Sequence, residues 1–205
     1  MASLVVGLFN PTQAAASVAT QGRLLVLGDS ISAEYGLPRG SGWVALLQQR
    51  LRQSHPRVEV VNASISGETS AGGRYRLPAL LRQHSPRWVL IELGGNDALR
   101  GLSLEASAQN LAFMTKAAQD AGARVLLLGM RIPPNFGADY TRRFAQVYED
   151  VARQHKAALL PFLLQPLVEH ADLLRWFQAD RIHPNEAAQS LILDHVWPSL
   201  KPLLS

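Results

Sequence analysis

Residues 24–30 read Leu-Leu-Val-Leu-Gly-Asp-Ser, an apolar run that ends abruptly in a small residue and two polar ones. Four consecutive apolar residues are typical of a strand that is buried on both faces of a parallel sheet. In an open α/β sheet, the ligand crevice lies at the carboxyl ends of the strands. The stretch therefore predicts a buried first strand whose end presents Asp29 and Ser30 to a crevice.

The same alternation of apolar run, polar loop and helical pattern recurs along the chain. Four further strands are predicted at residues 58–61, 88–93, 124–128 and 158–162, and the last helix at about 185–197. Five strands separated by helices favour an α/β protein, a three-layer α/β/α sandwich with a five-stranded parallel sheet. The alternative, an eight-stranded barrel, typically needs about 250 residues. We expect residues 22–205 to form one domain.

Composition excludes several classes of partner and cofactor. The net charge is +4, but the basic residues are scattered and Arg142-Arg143 is the only adjacent pair, so no nucleic-acid partner is predicted. The chain has no cysteine, which excludes disulfides, thiolate nucleophiles and cysteine metal sites. Neither a phosphate-binding Gly-rich loop nor a dinucleotide-binding Gly motif follows a strand, and no cofactor is expected.

The first 21 residues are predicted to lie outside the fold. A short apolar run at residues 4–9 is followed by Ala14-Ala15-Ala16, which has the small-x-small form of a signal-peptidase site. The run is too short to span a bilayer and lacks preceding basic residues, so no stable membrane insertion is expected. The segment is interpreted as a signal-peptide remnant, which implies a periplasmic or secreted protein, or as a disordered extension.

Ser30 has two candidate partners at the far end of the chain. Asp180 and His183 supply the carboxylate and the imidazole that a serine nucleophile needs. Taken alone, an Asp-Ser pair after a strand favours Ser30 as a cap of the next helix, and a lone histidine such as His183 could be an ordinary surface residue. Metal binding is disfavoured because His183 has one nearby carboxylate and no second histidine at ligand spacing.

Two further strand ends carry glycine-bearing polar loops. The backbone N–H of Gly67 and the side-chain amide of Asn96 are suitable donors for an oxyanion, and Gly94-Gly95 allows a tight turn before Asn96. Taken singly, Gly67 could be a turn residue and Asn96 a helix cap. Their repetition at three strand ends, which meet at one edge of a parallel sheet, favours a shared site.

Four blocks together resemble the SGNH (GDSL-type) hydrolase family. These are residues 28–30, Gly67, residues 94–97 and residues 180–184, in that order. Residues 62–70 and 86–97 are most similar to the bacterial periplasmic thioesterase I, lysophospholipase and arylesterase enzymes of that family. The usual Gly-x-Ser-x-Gly signature of α/β-hydrolases is absent, because position 32 is serine.

The resemblance implies a flavodoxin-like three-layer fold and a set of site residues. Ser30, Asp180 and His183 would form the catalytic triad. The N–H groups of Ser30 and Gly67 and the side chain of Asn96 would form the oxyanion hole. His183 would take the proton of Ser30 and return it to the leaving group, while Asp29 would support the site loop.

The substrate is predicted from apolar loop residues and is expected to be a small acyl ester or thioester. Leu99, Ile132, Pro133 and Phe136 follow predicted strands, where an acyl chain could lie along them. Each buried methylene would add about 0.8 kcal/mol. Core packing is the competing explanation for Leu99 and Ile132.

Three functions remain open at this point. The first is an esterase and thioesterase that acts through an acyl-Ser30 intermediate. The second is a carbohydrate O-acetylesterase with the same triad, and the third a non-catalytic α/β protein that binds a small ligand. A monomer is favoured for each.

Overall fold

A computed structural model of the chain describes residues 22–169 and 171–205; the predicted signal or extension segment, residues 1–21, lies outside this range. Five parallel strands form one sheet in the order β2-β1-β3-β4-β5. The strands are Gly22–Gly28 (β1), Val58–Asn62 (β2), Trp88–Glu92 (β3), Arg124–Leu128 (β4) and Ala158–Leu160 (β5). The predicted five-stranded parallel α/β fold is confirmed.

The described residues form seven α-helices. They are Trp43–Ser54 (α1), Ser70–His84 (α2), Gly95–Leu99 (α3), Leu104–Asp120 (α4), Ala138–His155 (α5), Gln165–Val168 (α6) and Gln189–Leu200 (α7). Helix α1 packs against α7, whereas α2, α4 and α5 pack in series. With right-handed crossovers, the order of the strands puts these two groups on opposite faces of the sheet. Within the described residues, every helix is too short or too polar to cross a membrane.

The central strands are buried because they carry apolar side chains on both faces. Leu24, Leu25, Val26 and Leu27 of β1 are 0% exposed. Strand β3 is equally buried along its whole length and includes one charged residue, Glu92. An apolar run without alternation thus produced a strand that is covered by helices on both sides, as expected for a parallel sheet.

Several predicted boundaries differ from the structure, most of all at the last strand and the last helix. Strand β5 ends at Leu160 rather than at residue 162, because Pro161 has no N–H for the ladder. Helix α7 begins at Gln189 rather than near 185, because the Asn185 side chain accepts a hydrogen bond from the N–H of Ala188 and caps a short 3₁₀ turn instead. The helix continues through Pro198 to Leu200.

The two edges of the sheet differ in the length of their connections. At the amino edge, the chain enters the strands through residues 55–57, 85–87, 121–123 and 156–157. At the carboxyl edge, it leaves them through the much longer segments 29–42, 63–69, 93–103, 129–137 and 161–188. All the residues proposed for the site lie in this second group. The order of the strands changes direction at β1, so the carboxyl ends of β1 and β3 flank a crevice.

Candidate active site

The structure brings Ser30, His183 and Asp180 into one hydrogen-bonded chain. Nε2 of His183 lies 2.9 Å from Oγ of Ser30, although the two residues are 153 positions apart. Nδ1 of His183 lies 2.6 Å from Oδ2 of Asp180. Because a carboxylate only accepts, Nδ1 carries the proton and Nε2 is free to accept the proton of the serine hydroxyl. This is the tautomer that a general base requires.

A tight turn holds the carboxylate of Asp180 behind the imidazole. Oδ1 of Asp180 accepts the backbone N–H groups of Ile182 (2.9 Å) and His183 (3.0 Å), and Arg181 adopts a left-handed conformation with φ +59°. Slight burial opposes ionisation of Asp180. The two backbone N–H groups and the imidazole outweigh it and lower the pKa of Asp180 to about 2. The carboxylate is therefore charged at any working pH.

Asp29 ties the turn that carries Ser30 to Asn96. Its Oδ1 accepts the N–H of Ile31 (3.0 Å), and its Oδ2 accepts the side-chain amide of Asn96 (3.0 Å). The same amide nitrogen donates to the carbonyl of Glu68 (3.0 Å). Asn96 thus bridges the connections that follow β1 and β2, and it does not cap α3, whose N-cap is Gly94. With both hydrogens engaged, its amide would have to share one of them with an oxyanion.

Glycines at two strand ends have conformations or neighbours that a side chain would disturb. Gly67 has φ +78°, and its carbonyl accepts a hydrogen bond from Nη2 of Arg100 (3.0 Å). Gly94 has φ +113°, and a Cβ there would lie 2.6 Å from the hydroxyl of Tyr148, which donates to the carbonyl of Leu93. Glycine therefore lets the chain turn where β3 ends and point Asn96 towards Asp29.

Glu92 is a buried carboxyl that the sequence reasoning missed. Its Oε2 accepts the N–H of Asp29 (3.1 Å) and the hydroxyl of Ser32 (2.9 Å), while its Oε1 has no hydrogen-bond partner among the described residues. A Cβ at Gly28 would lie 2.7 Å from Oε2. The only indication in the sequence was that Glu92 is an acidic residue at the end of the apolar run 88–91, which predicts a buried carboxyl.

Burial controls the charge of this buried acid pair. It raises the pKa of Glu92 well above the usual range, and the negative charge of Asp29 adds to that effect. Burial also raises the pKa of Asp29 to about 6, against the hydrogen bond from Ile31 and the neighbouring Glu92. Burial therefore favours the protonated form of both carboxyls, and it does so most strongly at Glu92.

Gln178 joins the two segments that carry the serine and the histidine. Its Nε2 donates to the carbonyls of Tyr35 (2.8 Å) and Pro184 (3.1 Å), and its backbone N–H donates to the carbonyl of His183 (2.8 Å). A Cβ at Gly36 would lie 2.1 Å from Oε1 of Gln178, so this contact also requires a glycine. The Tyr35 ring lies 4.4 Å from the imidazole of His183, centroid to centroid. No local pattern in the sequence indicates either contact.

The residues predicted to line an acyl site differ in exposure. Leu99 is 39% and Phe136 38% exposed, and Pro133 is exposed as well. Ile132 is 6% exposed and belongs to the hydrophobic core. Core packing therefore accounts for Ile132, whereas the other three present apolar surface. Among residues 22–169 and 171–205, no cluster of three or more acidic or histidine side chains is arranged to hold a metal ion.

Comparison with known proteins identifies the family. The sequence profile of the GDSL-like lipase/acylhydrolase family matches residues 26–191. The chain belongs to this family. The resemblance to SGNH (GDSL-type) hydrolases that the four sequence blocks suggested is therefore confirmed.

Relatives match along most of their length. Esterase TesA of Pseudomonas aeruginosa is 55% identical over 181 residues, covering 88% of this chain and 89% of that protein. Thioesterase 1/protease 1/lysophospholipase L1 of Escherichia coli is 43% identical over 182 residues, which cover 89% of this chain and 85% of that protein. This member of the GDSL-like family is therefore a hydrolase that acts on ester bonds.

Solved structures of family members share the fold. The crystal structure of TesA superimposes with a TM-score of 0.84 at 54% identity, covering 88% of this chain and 99% of that one. The psychrotrophic esterase EstA from Pseudoalteromonas sp. was solved in a form inhibited by monoethylphosphonate. It superimposes with a TM-score of 0.83 at 40% identity, covering 89% of this chain and 98% of that one.

Proposed function

We propose that this GDSL-like hydrolase cleaves carboxylic esters and thioesters through an acyl-Ser30 intermediate. The observation that carries the proposal is the continuous hydrogen-bonded chain from Ser30 through His183 to Asp180. A serine hydroxyl is a weak nucleophile unless a neighbouring base removes its proton as it attacks. His183 is within reach to do so, and its other nitrogen is held by a charged carboxylate.

In the proposed acylation step, Oγ of Ser30 attacks the carbonyl carbon while Nε2 of His183 takes the hydroxyl proton. The tetrahedral intermediate collapses, the bond to the alkoxide or thiolate breaks, and His183 returns the proton to that leaving group. Water then attacks acyl-Ser30 by the same route, and the carboxylic acid and free Ser30 are released. Asp180 stays ionised and stabilises the imidazolium in both steps.

Three donors would stabilise the oxyanion: the backbone N–H of Ser30, the backbone N–H of Gly67 and the amide of Asn96. The link from Asn96 to Asp29 supports this assignment, because it fixes the amide relative to the Ser30 turn before substrate binds. A preorganised donor of this kind contributes roughly 10²–10³ in kcat.

Labelling with a phosphonate ester tests the nucleophile. The reagent is expected to modify Ser30, detected by mass spectrometry of the peptide, and to inactivate the enzyme in parallel. Ser30→Ala should take up no label, while Ser66→Ala, in the neighbouring loop, should label like the wild type. Modification of another residue, or inactivation without modification of Ser30, would contradict the assignment.

The substrate is proposed to be a small acyl ester or thioester, with lysophospholipids and aryl esters among the candidates. Supporting observations are the exposed apolar side chains of Leu99, Pro133 and Phe136 in the carboxyl-edge connections and the activities for which the relatives are named. On p-nitrophenyl esters of increasing acyl length, kcat/KM should rise roughly fourfold for each methylene that is buried. A flat series would exclude an acyl groove.

We also propose that the chain is a single-domain monomer that is exported to the periplasm or beyond. The support for export is the apolar run at residues 4–9 with the small residues Ala14 and Ala16. Residues 1–21 fused to a reporter that is active only after export should yield activity, and Ala14→Glu with Ala16→Glu should block processing. An inactive fusion would contradict export, and a dimer in sedimentation equilibrium would contradict the monomer.

A further inference from the structure

The Tyr35 ring covers one face of the His183 imidazole. The two ring centroids are 4.4 Å apart and the ring planes are inclined by 40°, a separation too short for rings that meet edge to edge. Tyr35 is nevertheless 50% exposed, whereas the side chain of His183 is only 18% exposed. The tyrosine ring is therefore placed on the imidazole without being part of the hydrophobic core.

The backbone on both sides of Tyr35 fixes where the ring lies. Glu34 has φ +61° and Gly36 has φ +69°, so two left-handed residues flank the tyrosine. This conformation is unfavourable for a glutamate. The Glu34 carboxylate stabilises it by accepting the N–H groups of Gly40 (3.0 Å) and Gly42 (2.9 Å). The loop therefore holds Tyr35 in place before substrate binds.

Hydrogen bonds already orient the imidazole without the help of the tyrosine ring. Nδ1 of His183 lies 2.6 Å from the carboxylate of Asp180, and the backbone N–H of His183 donates to the same carboxylate. The carbonyl of His183 accepts the backbone N–H of Gln178. Within the described residues, the Tyr35 hydroxyl takes part in no hydrogen bond. What Tyr35 offers to His183 is therefore the face of its aromatic ring.

We propose that Tyr35 is a positioning residue that stabilises the charged form of His183 through the face of its ring. The inference rests on the proposed function, in which Nε2 of His183 takes the proton of Ser30 and the imidazole becomes an imidazolium. An aromatic quadrupole attracts a positive charge that lies over the ring within about 6 Å of its centroid. The reaction creates this charge as Ser30 attacks, so the attraction favours the transition state over the bound substrate.

Asp180 and Tyr35 act on the imidazolium from different directions. The carboxylate of Asp180 is bonded to Nδ1 at the edge of the ring, whereas Tyr35 lies over one face and excludes water from it. A charge that is partly shielded from water is attracted more strongly than one at an open surface. Contacts of this kind correspond to roughly 2- to 30-fold in rate.

Substitutions at Tyr35 test the contribution of the ring. Tyr35→Leu keeps an apolar side chain but has no aromatic face. It should lower kcat/KM on p-nitrophenyl butyrate and on ethyl butyrate by the same factor, about 2- to 30-fold. Tyr35→Phe keeps the face and should stay within about twofold of the wild type on both esters. Both variants should unfold close to the wild-type temperature, because half of Tyr35 is already exposed.

Ring fluorination separates an electrostatic role from a steric one. Phenylalanine analogues with one, two and three ring fluorines at position 35 keep the shape of the ring but withdraw electrons from its face, which weakens the quadrupole. The logarithm of kcat/KM should fall steadily with each fluorine on both esters. The same analogues at Tyr75, which is 88% exposed on α2, serve as controls and should leave kcat/KM unchanged.

Three outcomes would overturn the proposal. The first is wild-type kcat/KM in Tyr35→Leu. The second is an impaired Tyr35→Leu with no response to fluorination, because the ring would then only fill space beside the imidazole. The third is a loss confined to p-nitrophenyl butyrate, which would place the ring against an aromatic leaving group. In all three, a phosphonate ester still labels Ser30, whereas an unlabelled Ser30 in the wild type would refute the proposed function itself.

Discussion

The two edges of the sheet differ in the length of their connections and in the residues that these connections carry. At the amino edge, connections of two or three residues close the turns, with Ser85, Gly122 and Lys156 in left-handed conformations that end the preceding helices. At the carboxyl edge, connections of seven to 28 residues hold buried carboxyls, the Ser30–His183 contact and nine of the eleven large apolar side chains that are exposed in the described part of the chain. We therefore expect substitutions at the amino edge to alter stability and substitutions at the carboxyl edge to alter catalysis.

The largest effect is expected at Ser30. Without the hydroxyl, His183 has no proton to take, so Ser30→Ala should lower kcat for p-nitrophenyl esters by about 10⁴-fold or more. Thermal unfolding should stay close to that of the wild type, because Ser30 is only half-buried. Comparable turnover in the variant would show that the carboxyl edge performs its chemistry elsewhere.

Asn96→Ala should produce the next largest loss. Removal of one oxyanion donor lowers kcat by roughly 10²–10³, whereas KM should change little, because the interaction strengthens only in the transition state. Steady-state kinetics on one ester provide the measurement. A rise in KM with unchanged kcat would assign Asn96 to ground-state binding instead.

Gln178→Ala should lower kcat between about 10- and 100-fold through misplacement of the base. The side chain that joins the carbonyls of Tyr35 and Pro184 is lost, so the distance between Ser30 and His183 is no longer held. Gln83→Ala, an exposed glutamine on α2, serves as the control and should leave kcat unchanged. Equal losses of stability and of kcat in both variants would argue against a positioning role.

Glu92→Gln tests whether the buried acid at the end of β3 is neutral. In the unfolded chain, glutamate loses its proton near pH 4.3, but in the folded protein burial raises the pKa of Glu92 well above that value. The folded state then binds more protons, so wild-type stability falls as pH rises above that value, by up to about 1.4 kcal/mol per pH unit. Asp29, with its pKa raised to about 6, acts in the same direction below that pH.

The variant carries no charge at this position, so its free energy of unfolding should not show this decrease. The difference in stability between variant and wild type is expected to shift in favour of the variant as the pH rises from 5 to 8. Urea unfolding at both pH values measures this shift. Glu149→Gln, on the exposed face of α5, should follow the wild-type curve at both values. A constant difference between Glu92→Gln and wild type across this range would mean that Glu92 is ionised in the fold.

The smallest effect is expected at the amino edge. Gly122 has φ +83° and open space around its Cβ direction, so Gly122→Ala meets only backbone strain of about 1 kcal/mol. The midpoint of thermal unfolding should fall while kcat and KM remain as in the wild type. A change in kcat would show that the two edges are coupled through the sheet.

Local patterns predicted most of the fold. The apolar runs of β1 and β3 could be assigned because periodicity and burial on both faces are properties of consecutive residues. The predicted start of α7 was wrong by about four residues. Asn185 caps a 3₁₀ turn there, and the sequence of that turn resembles the first turn of an α-helix. Short helices such as α6, with four residues, are below the length at which periodicity is visible.

The alternation of strands and helices, the resemblance to the GDSL-like family and the candidate residues Ser30, Asp180, His183 and Asn96 could all be identified from the amino-acid sequence. Three features became visible only in the folded chain: Gln178 spans the two site segments, Tyr35 packs on the imidazole, and Glu92 is fully buried. These features depend on contacts between residues that are far apart in the chain. A pKa or a hydrogen bond of this kind depends on burial and distance, which no local pattern encodes.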